Sequence, residues 1–297
     1  MEVLVLGGAG MLGHKVFQHL DDQIPDSWCT IRGRLSDPSI RGIQLLSNKR
    51  VIENIDAMNI AQLTAFLHET RPKTIVNCIG VIKQRDEAKC PVPSITINAL
   101  LPHVLAAECA KWNGRLIHFS TDCVFSGSRG GYTEEDSPDA LDLYGRSKAL
   151  GEVGAQNALT LRTSIIGREL NHRTSLLEWL IAQNGSTIRG FVRAMYSGVT
   201  TLYLAEIICR LIKQYPTLSG IFQVTSGTIS KYELLRLLRD AYKLDVTIVP
   251  NSEFFCNRSM CGDLFTRTTG YAAPDWPTLA TQLAADPTPY SDWRESK

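Results

Sequence analysis

Apolar positions in the first half of this chain recur in two alternating rhythms. Short runs rich in branched residues, at Val3 to Leu6, Val51 to Ile55 and Thr74 to Ile79, suit strands of a parallel sheet buried on both faces. Between them, apolar residues spaced three and four apart predict helices. One starts near Met11 and runs through Leu20, one is capped by Asn59 and runs through His68 until Pro72 stops it, and an amphipathic one covers Asn98 to Trp112. Further strands are expected at Trp28 to Arg32 and at Arg115 to Phe119, the latter ending in Ser120-Thr121-Asp122, and a sixth ends at Ile165, Ile166 and Gly167. This alternation means βαβ units. The predicted fold class is α/β, a doubly wound parallel sheet with ligands at the carboxyl ends of its strands.

The second half has a different texture. Ser126 to Leu143 is a polar loop rich in Gly and Asp, and a helix begins near Tyr144. Past Ile165 helices and loops dominate, while Ile221 to Val224 reads as a strand that returns to the sheet. The expected organisation is a first domain over 1–164 with a return segment near 197–225. A smaller, discontinuous C-terminal domain takes up most of 165–297.

Composition narrows the class. A chain of 297 residues with 44% hydrophobic content and net charge +1 can bury a substantial core. Nothing in that balance suggests a basic nucleic-acid tail, an acidic tail or a disordered chain. No apolar run reaches the roughly 18 residues of a membrane span, and the opening stretch has no basic leader. A cytoplasmic protein without membrane or nucleic-acid partners is expected, and a homodimer stays open because no stretch is a self-evident dimer face. The eight cysteines form no C-x-x-C pair, and Cys78, Cys109 and Cys209 lie in apolar runs where a thiol acts as a small hydrophobe. His118 and His172 lack metal spacing, so no metal site is predicted.

The first candidate chemistry follows the first strand. Gly7, Gly10 and Gly13 stand at G-x-x-G-x-x-G spacing: the first permits a sharp turn, the second a close approach to a diphosphate, the third tight helix packing. The helix that opens at Met11 and Leu12 then aims its free N–H groups at an anion. The second strand ends in Thr30-Ile31-Arg32-Gly33-Arg34, with arginines where an acid would read a ribose hydroxyl. That favours NADPH, with NADH as the alternative. A second candidate is Tyr144-Gly-Arg-Ser-Lys148. Residues four apart share a helix face, so the Lys148 ammonium can sit beside the Tyr144 phenol and lower its pKa from about 10. Such a phenol exchanges protons with a carbonyl or alcohol.

These pieces resemble the extended short-chain dehydrogenase/reductase superfamily, and within it the dTDP-4-dehydrorhamnose reductase group of sugar-nucleotide ketoreductases. The resemblance rests on GGAGMLG at 7–13, RPKTIVNCIG at 71–80, INALLPHVLA at 97–106, FSTDCVFSG at 119–127, YGRSKALGE at 144–152, LRTSIIG at 161–167 and SGVTT at 197–201. It implies a Rossmann-type cofactor domain and an oxidoreductase that uses NADPH to reduce a keto group, at C4, on a nucleotide-linked 6-deoxysugar in deoxysugar or polysaccharide biosynthesis. It implies that Tyr144 is the general acid, that Lys148 holds the nicotinamide ribose and depresses the tyrosine pKa, and that Thr121 hydrogen-bonds the reacting oxygen. Gly7, Gly10, Met11, Leu12 and Gly13 correspond to the diphosphate turn, Asp56 to an adenine-side contact, and Gly80 with Val81 to the segment passing the nicotinamide.

One departure bears on substrate. The group carries tyrosine in S-T-D-Y-V-F, where this chain has Cys123, so the sugar pocket differs. Of the arginines in the second half (Arg168, Arg173, Arg189, Arg193 and Arg258), Arg193 and Arg258 are the candidates for a substrate diphosphate. Two alternatives remain. One is a redox-neutral epimerase or dehydratase on the same fold, disfavoured because only one acid stands beside Thr121. The other is a non-catalytic dinucleotide-binding subunit, since the regulatory subunit of methionine adenosyltransferase resembles the same branch.

Overall fold

The computed structural model describes residues 1–47, 49–83, 89–171 and 174–295; of the residues singled out above, His172 and Arg173 lie outside them. The core is a seven-stranded parallel sheet of β1 (Val3–Leu6), β2 (Ser27–Thr30), β3 (Val51–Ile52), β4 (Thr74–Asn77), β5 (Arg115–Ser120), β6 (Ala158–Arg162) and β10 (Gly220–Gln223). Their spatial order is β10-β6-β5-β4-β1-β2-β3. Alternation along β1 splits its side chains between two layers. Val3 and Val5 join Val16, Phe17 and Ile207 under α1 (Met11–Gln23) and α7 (Thr201–Gln214), whereas Leu4 and Leu6 join Leu63, Leu67, Leu101 and Leu105 on the other face. That opposite layer is made by α2 (Ile60–Thr70) and α4 (Leu101–Ala110).

The second unit packs beside the sheet. Strand β8 (Thr187–Tyr196) pairs antiparallel with β11 (Ile229–Ser230) and parallel with β12 (Thr247–Asn257). Helices α6 (Leu176–Ala182), α8 (Lys231–Ala241) and α10 (Trp276–Ala284) supply its own apolar core. The return strand expected near Ile221 is β10, in register with β6 from Gly220↔Leu159 to Gln223↔Arg162.

Four local expectations are corrected. The third strand stops at Ile52 rather than Ile55, because Asn54 takes a left-handed φ of 60° that a ladder does not accommodate. The second strand stops at Thr30, which leaves Arg32 exposed in the loop beyond it. Ile165 and Ile166 do not extend β6: its partner β5 ends at Ser120, so beyond Arg162 the chain leaves the ladder and forms the separate pair of β7 (Ile165–Ile166) with β9 (Val199–Thr200). The helix expected from Asn98 starts as α3 (Pro91–Ser94), passes through a π-helical turn at Ile95–Leu100 and continues as α4. Pro91 is tolerated because the first helical N–H groups have no intrahelical partner. The resulting helix, Pro91–Ala110, is long and apolar enough by composition to cross a membrane, unlike the shorter one expected; 56% of its most apolar window is buried in the fold.

Candidate active site

The turn after β1 is built around three glycines. Gly7 has φ of 86°, its carbonyl accepts from Gly10 N at 3.0 Å, and a β-carbon on Gly13 would stand 2.1 Å from the same carbonyl oxygen. Any side chain at 13 would push α1 off the turn. Gly10 caps α1 without a side chain, so the N–H groups of Met11, Leu12 and Gly13 face outward at the helix's positive end. This is where the sheet order reverses between β1 and β4, the place where an open α/β sheet has its crevice.

Beyond β4, Asn98 fixes the next stretch. Its Oδ1 accepts from Val81 N at 2.9 Å while its Nδ2 donates to Val81 O at 3.0 Å, a two-point clamp made from within the π turn. The same Nδ2 lies 3.3 Å from Ser147 Oγ, joining the Gly80-Val81 segment to α5 (Leu143–Leu150). Lys83 adds a second tie, 2.7 Å from Asp142, whose other oxygen caps α5 through Gly145 N at 2.8 Å. A π turn at a working site is a recurrent device.

Tyr144 and Lys148 share one face of α5, as the spacing predicts. Gly145 lets the helix close in, since a β-carbon there would stand 2.3 Å from Cys123 O. Thr121 sits where β5 turns into a short helical turn; its Oγ1 accepts from Cys123 N (3.2 Å), donates to Asp122 Oδ1 (3.0 Å) and interacts with the Tyr144 phenol. Thr121 and Tyr144 are therefore brought together. Lys148 differs from expectation. Its Nζ donates to Phe119 O at 2.5 Å, and burial lowers its pKa to about 8 against the pull of Glu152. The phenol is not depressed. Burial first, then Cys123 and the Asp122 and Asp142 carboxylates, hold it above its ordinary value, opposed by Thr121. Tyr144 is accordingly a protonated donor across the neutral range.

The remaining candidates divide. Arg258 reaches the site, with Nε donating to Phe125 O at 2.8 Å and a terminal nitrogen 3.6 Å from Cys123 Sγ. Arg193 does not touch it; its guanidinium lies over the Phe255 ring at 5.1 Å, on the open face of the smaller sheet. Asp56 turns its carboxylate to Met58 N at 3.0 Å, and Arg32 is exposed without an ion pair among the described residues. Arg168 is taken up by Glu178 at 2.7 Å. Burial and Asp122 push the Cys123 thiol up to about 12, which leaves it no nucleophile near neutrality. His118 is buried, takes an Asn77 contact at 3.2 Å and is held far below its ordinary pKa by burial and Lys148.

Two site residues were missed from sequence. The sequence marks Asn98 only as a position on the predicted helix. Lys231, at the start of α8, lies 3.7 Å from the centre of the Tyr196 ring. Burial lowers its pKa to about 8, while Asp122, Cys123 and Cys256 counteract. Its only sequence signal was a cation directly after Ser230, a helix-capping residue.

Comparison with known proteins bears on the family and the fold. The family model described as the RmlD substrate binding domain matches residues 1–254. A dTDP-4-keto-6-deoxy-D-glucose reductase of Streptomyces niveus is 29% identical over 250 residues, 79% of this chain and 76% of that protein. Methionine adenosyltransferase 2 subunit beta of Mus musculus is 25% identical over 258 residues, 82% of this chain and 72% of that one. The crystal structure of dTDP-4-dehydrorhamnose reductase from Bacillus anthracis in complex with NADP has the same fold, with a TM-score of 0.77 at 22% identity over 95% of this chain and 98% of that one.

Proposed function

This chain belongs to the RmlD substrate-binding domain family, and from that premise we propose that it is an oxidoreductase reducing the C4 keto group of a nucleotide-linked 6-deoxysugar with NADPH. The observation that carries the reading is the convergence of Thr121 and the protonated Tyr144 phenol, on one side of the β1/β4 crevice, with Lys148 one helical turn behind. Residues 1–164 together with β10 hold the dinucleotide, and the rest of the chain supplies the sugar-nucleotide pocket with Cys123, Lys231 and Arg258 on its wall. Neither cation is in an ion pair among the described residues, which suits a substrate carrying a diphosphate. The protein acts as a cytoplasmic enzyme.

When bound, the dinucleotide supplies the hydride. Everything else falls to the chain. The Gly7–Gly13 turn and the first N–H groups of α1 hold the diphosphate, and the Asn98 clamp keeps Val81 beside the nicotinamide path. Thr121 orients the carbonyl oxygen, and Tyr144 delivers its phenolic proton to that oxygen as the alkoxide develops. Lys148 holds the ribose as an ammonium.

The test is direct. Purified protein with NADPH and a panel of 4-keto-6-deoxy sugars on dTDP, UDP and GDP is expected to consume NADPH with one nucleotide series. Tight NADPH binding with no consumption across the panel would instead favour the second reading, a regulatory subunit, for which the 25% identity to a methionine adenosyltransferase subunit is the motive.

A pH dependence follows from Lys148. With a pKa near 8 the ribose-holding ammonium is present below that value and lost above it. NADPH affinity is therefore expected to be flat from pH 6.5 to about 7.5 and to weaken as pH rises through about 8. Fluorescence titration of NADPH across that range checks it, and a flat profile up to pH 9.5 would remove Lys148 from this role.

A further inference from the structure

The first turn of α1 is tied to a segment nearly three hundred residues away. His14 Nδ1 stands 2.8 Å from the Gly10 carbonyl, which can only accept, so this nitrogen carries hydrogen. On the other side of the ring, Nε2 lies 2.8 Å from the Tyr290 hydroxyl, on α11 (Tyr290–Glu295). The two rings meet edge-on, with centroids 5.6 Å apart. Lys15 continues the seam: buried, it pairs with Asp286 at 2.7 Å and donates to Thr288 Oγ1 at 2.7 Å. The Tyr290 hydroxyl also faces Asp286 at 3.4 Å, and the Arg168 guanidinium covers its ring at 4.8 Å. Residues 286–290 lie beyond the stretch that the family model covers.

What the seam grips is a single peptide plane. In a trans peptide the carbonyl and the following N–H point in opposite directions, so holding the Gly10 oxygen on the His14 side turns the Met11 N–H away from it. That is the direction of the crevice between β1 and β4. The Gly10 oxygen also accepts from His14 N at 3.1 Å, so this one residue holds the carbonyl by both backbone and ring. The ring's own orientation is set by Tyr290.

We propose that Tyr290 is a positioning residue for the dinucleotide: its hydroxyl, through the His14 ring, fixes the Gly10–Met11 peptide whose N–H meets the diphosphate. The docked C-terminal segment is thereby part of the cofactor site without touching the cofactor. This rests on the dinucleotide reading given above.

The experiment measures NADPH binding directly, by fluorescence titration of this 297-residue chain without sugar substrate, beside thermal melting. Tyr290→Phe keeps the ring and removes the hydroxyl. It is expected to raise the NADPH Kd about three- to tenfold, the range set by one hydrogen bond. In turnover, the KM for NADPH should rise by the same factor while kcat falls far less. Trp293→Phe trims the same docked helix, where Trp293 packs on Tyr290 with ring centres 6.1 Å apart, but spares the hydroxyl. It should leave the Kd within twofold. An unchanged Kd in Tyr290→Phe overturns the proposal, as does an equal rise in Trp293→Phe, which would mark general loosening. Failure of the unaltered protein to bind NADPH overturns the dinucleotide reading as well.

Discussion

Replacing Tyr144 with phenylalanine is expected to lower kcat by about 10²- to 10⁴-fold, the range in which positioned proton transfer contributes, while the NADPH Kd moves little. The hydroxyl that is lost is the one interacting with Thr121, and burial with the neighbouring carboxylates keeps it protonated. A phenylalanine ring fills the same space, and Lys148 keeps its bond to Phe119 O, so the fold and the proposed ribose contact are expected to survive. Rates of NADPH oxidation beside binding titrations separate the two effects. A kcat within tenfold of the parent would mean that the proton reaches the product oxygen by another route. Thr121 would then be orienting substrate for a different donor.

The second large effect concerns stability. Glu152 and Arg162 form a bidentate pair with both contacts at 2.8 Å, and their side chains are only 5% and 3% exposed. Ser120 Oγ donates to the same carboxylate at 2.7 Å, and the guanidinium lies 5.2 Å from the Phe125 ring centre. Removing one partner of a buried pair leaves the other charge uncompensated, at a cost of about 3–5 kcal/mol. Glu152→Gln, close in shape but neutral, should therefore cut unfolding free energy by about that amount in urea titrations. Replacing both residues by apolar ones of similar volume should recover much of the loss. A change below about 1 kcal/mol for Glu152→Gln would show that Arg162 finds water or another partner. The same substitution also removes the group that raises the Lys148 pKa. In Glu152→Gln the weakening of NADPH affinity with pH should accordingly begin below 8 instead of at it.

The parts of this architecture readable from sequence are those that local chemistry decides. Val3 to Leu6 had to be a buried strand because branched residues follow one another without a polar break. Gly7 and Gly13 announced the turn because no other residue fits φ of 86° or a 2.1 Å approach. Tyr144 and Lys148 declared a shared face through spacing alone. What stayed illegible depends on partners far along the chain. The role of Asn98 needs the Val81 backbone brought to it, and Lys231 reaches the Tyr196 ring only once β11 has paired with β8. The direction of the Tyr144 shift is illegible in sequence for the same reason: spacing shows which charge is near, whereas burial is a property of the whole fold. The end of β3 at Asn54 and the departure of the chain after Arg162 reflect backbone geometry and a neighbouring strand's length, neither of which apolar periodicity encodes.

The seam between α1 and residues 286–290 also sets a clock on the birth of the protein. His14 and Tyr290 are 276 positions apart, so at translation speeds of about 5–20 residues per second the two meet roughly 14–55 seconds after His14 is made. Throughout that interval Lys15 has no Asp286 to neutralise it, and burying a lone ammonium is prohibitively costly. The Lys15 side of α1 must then remain hydrated on the nascent chain even after β1 and its neighbours have paired. The Gly10–Met11 peptide thus gains its tie through the His14 ring only after Tyr290 has been made, long after the glycine turn itself has emerged.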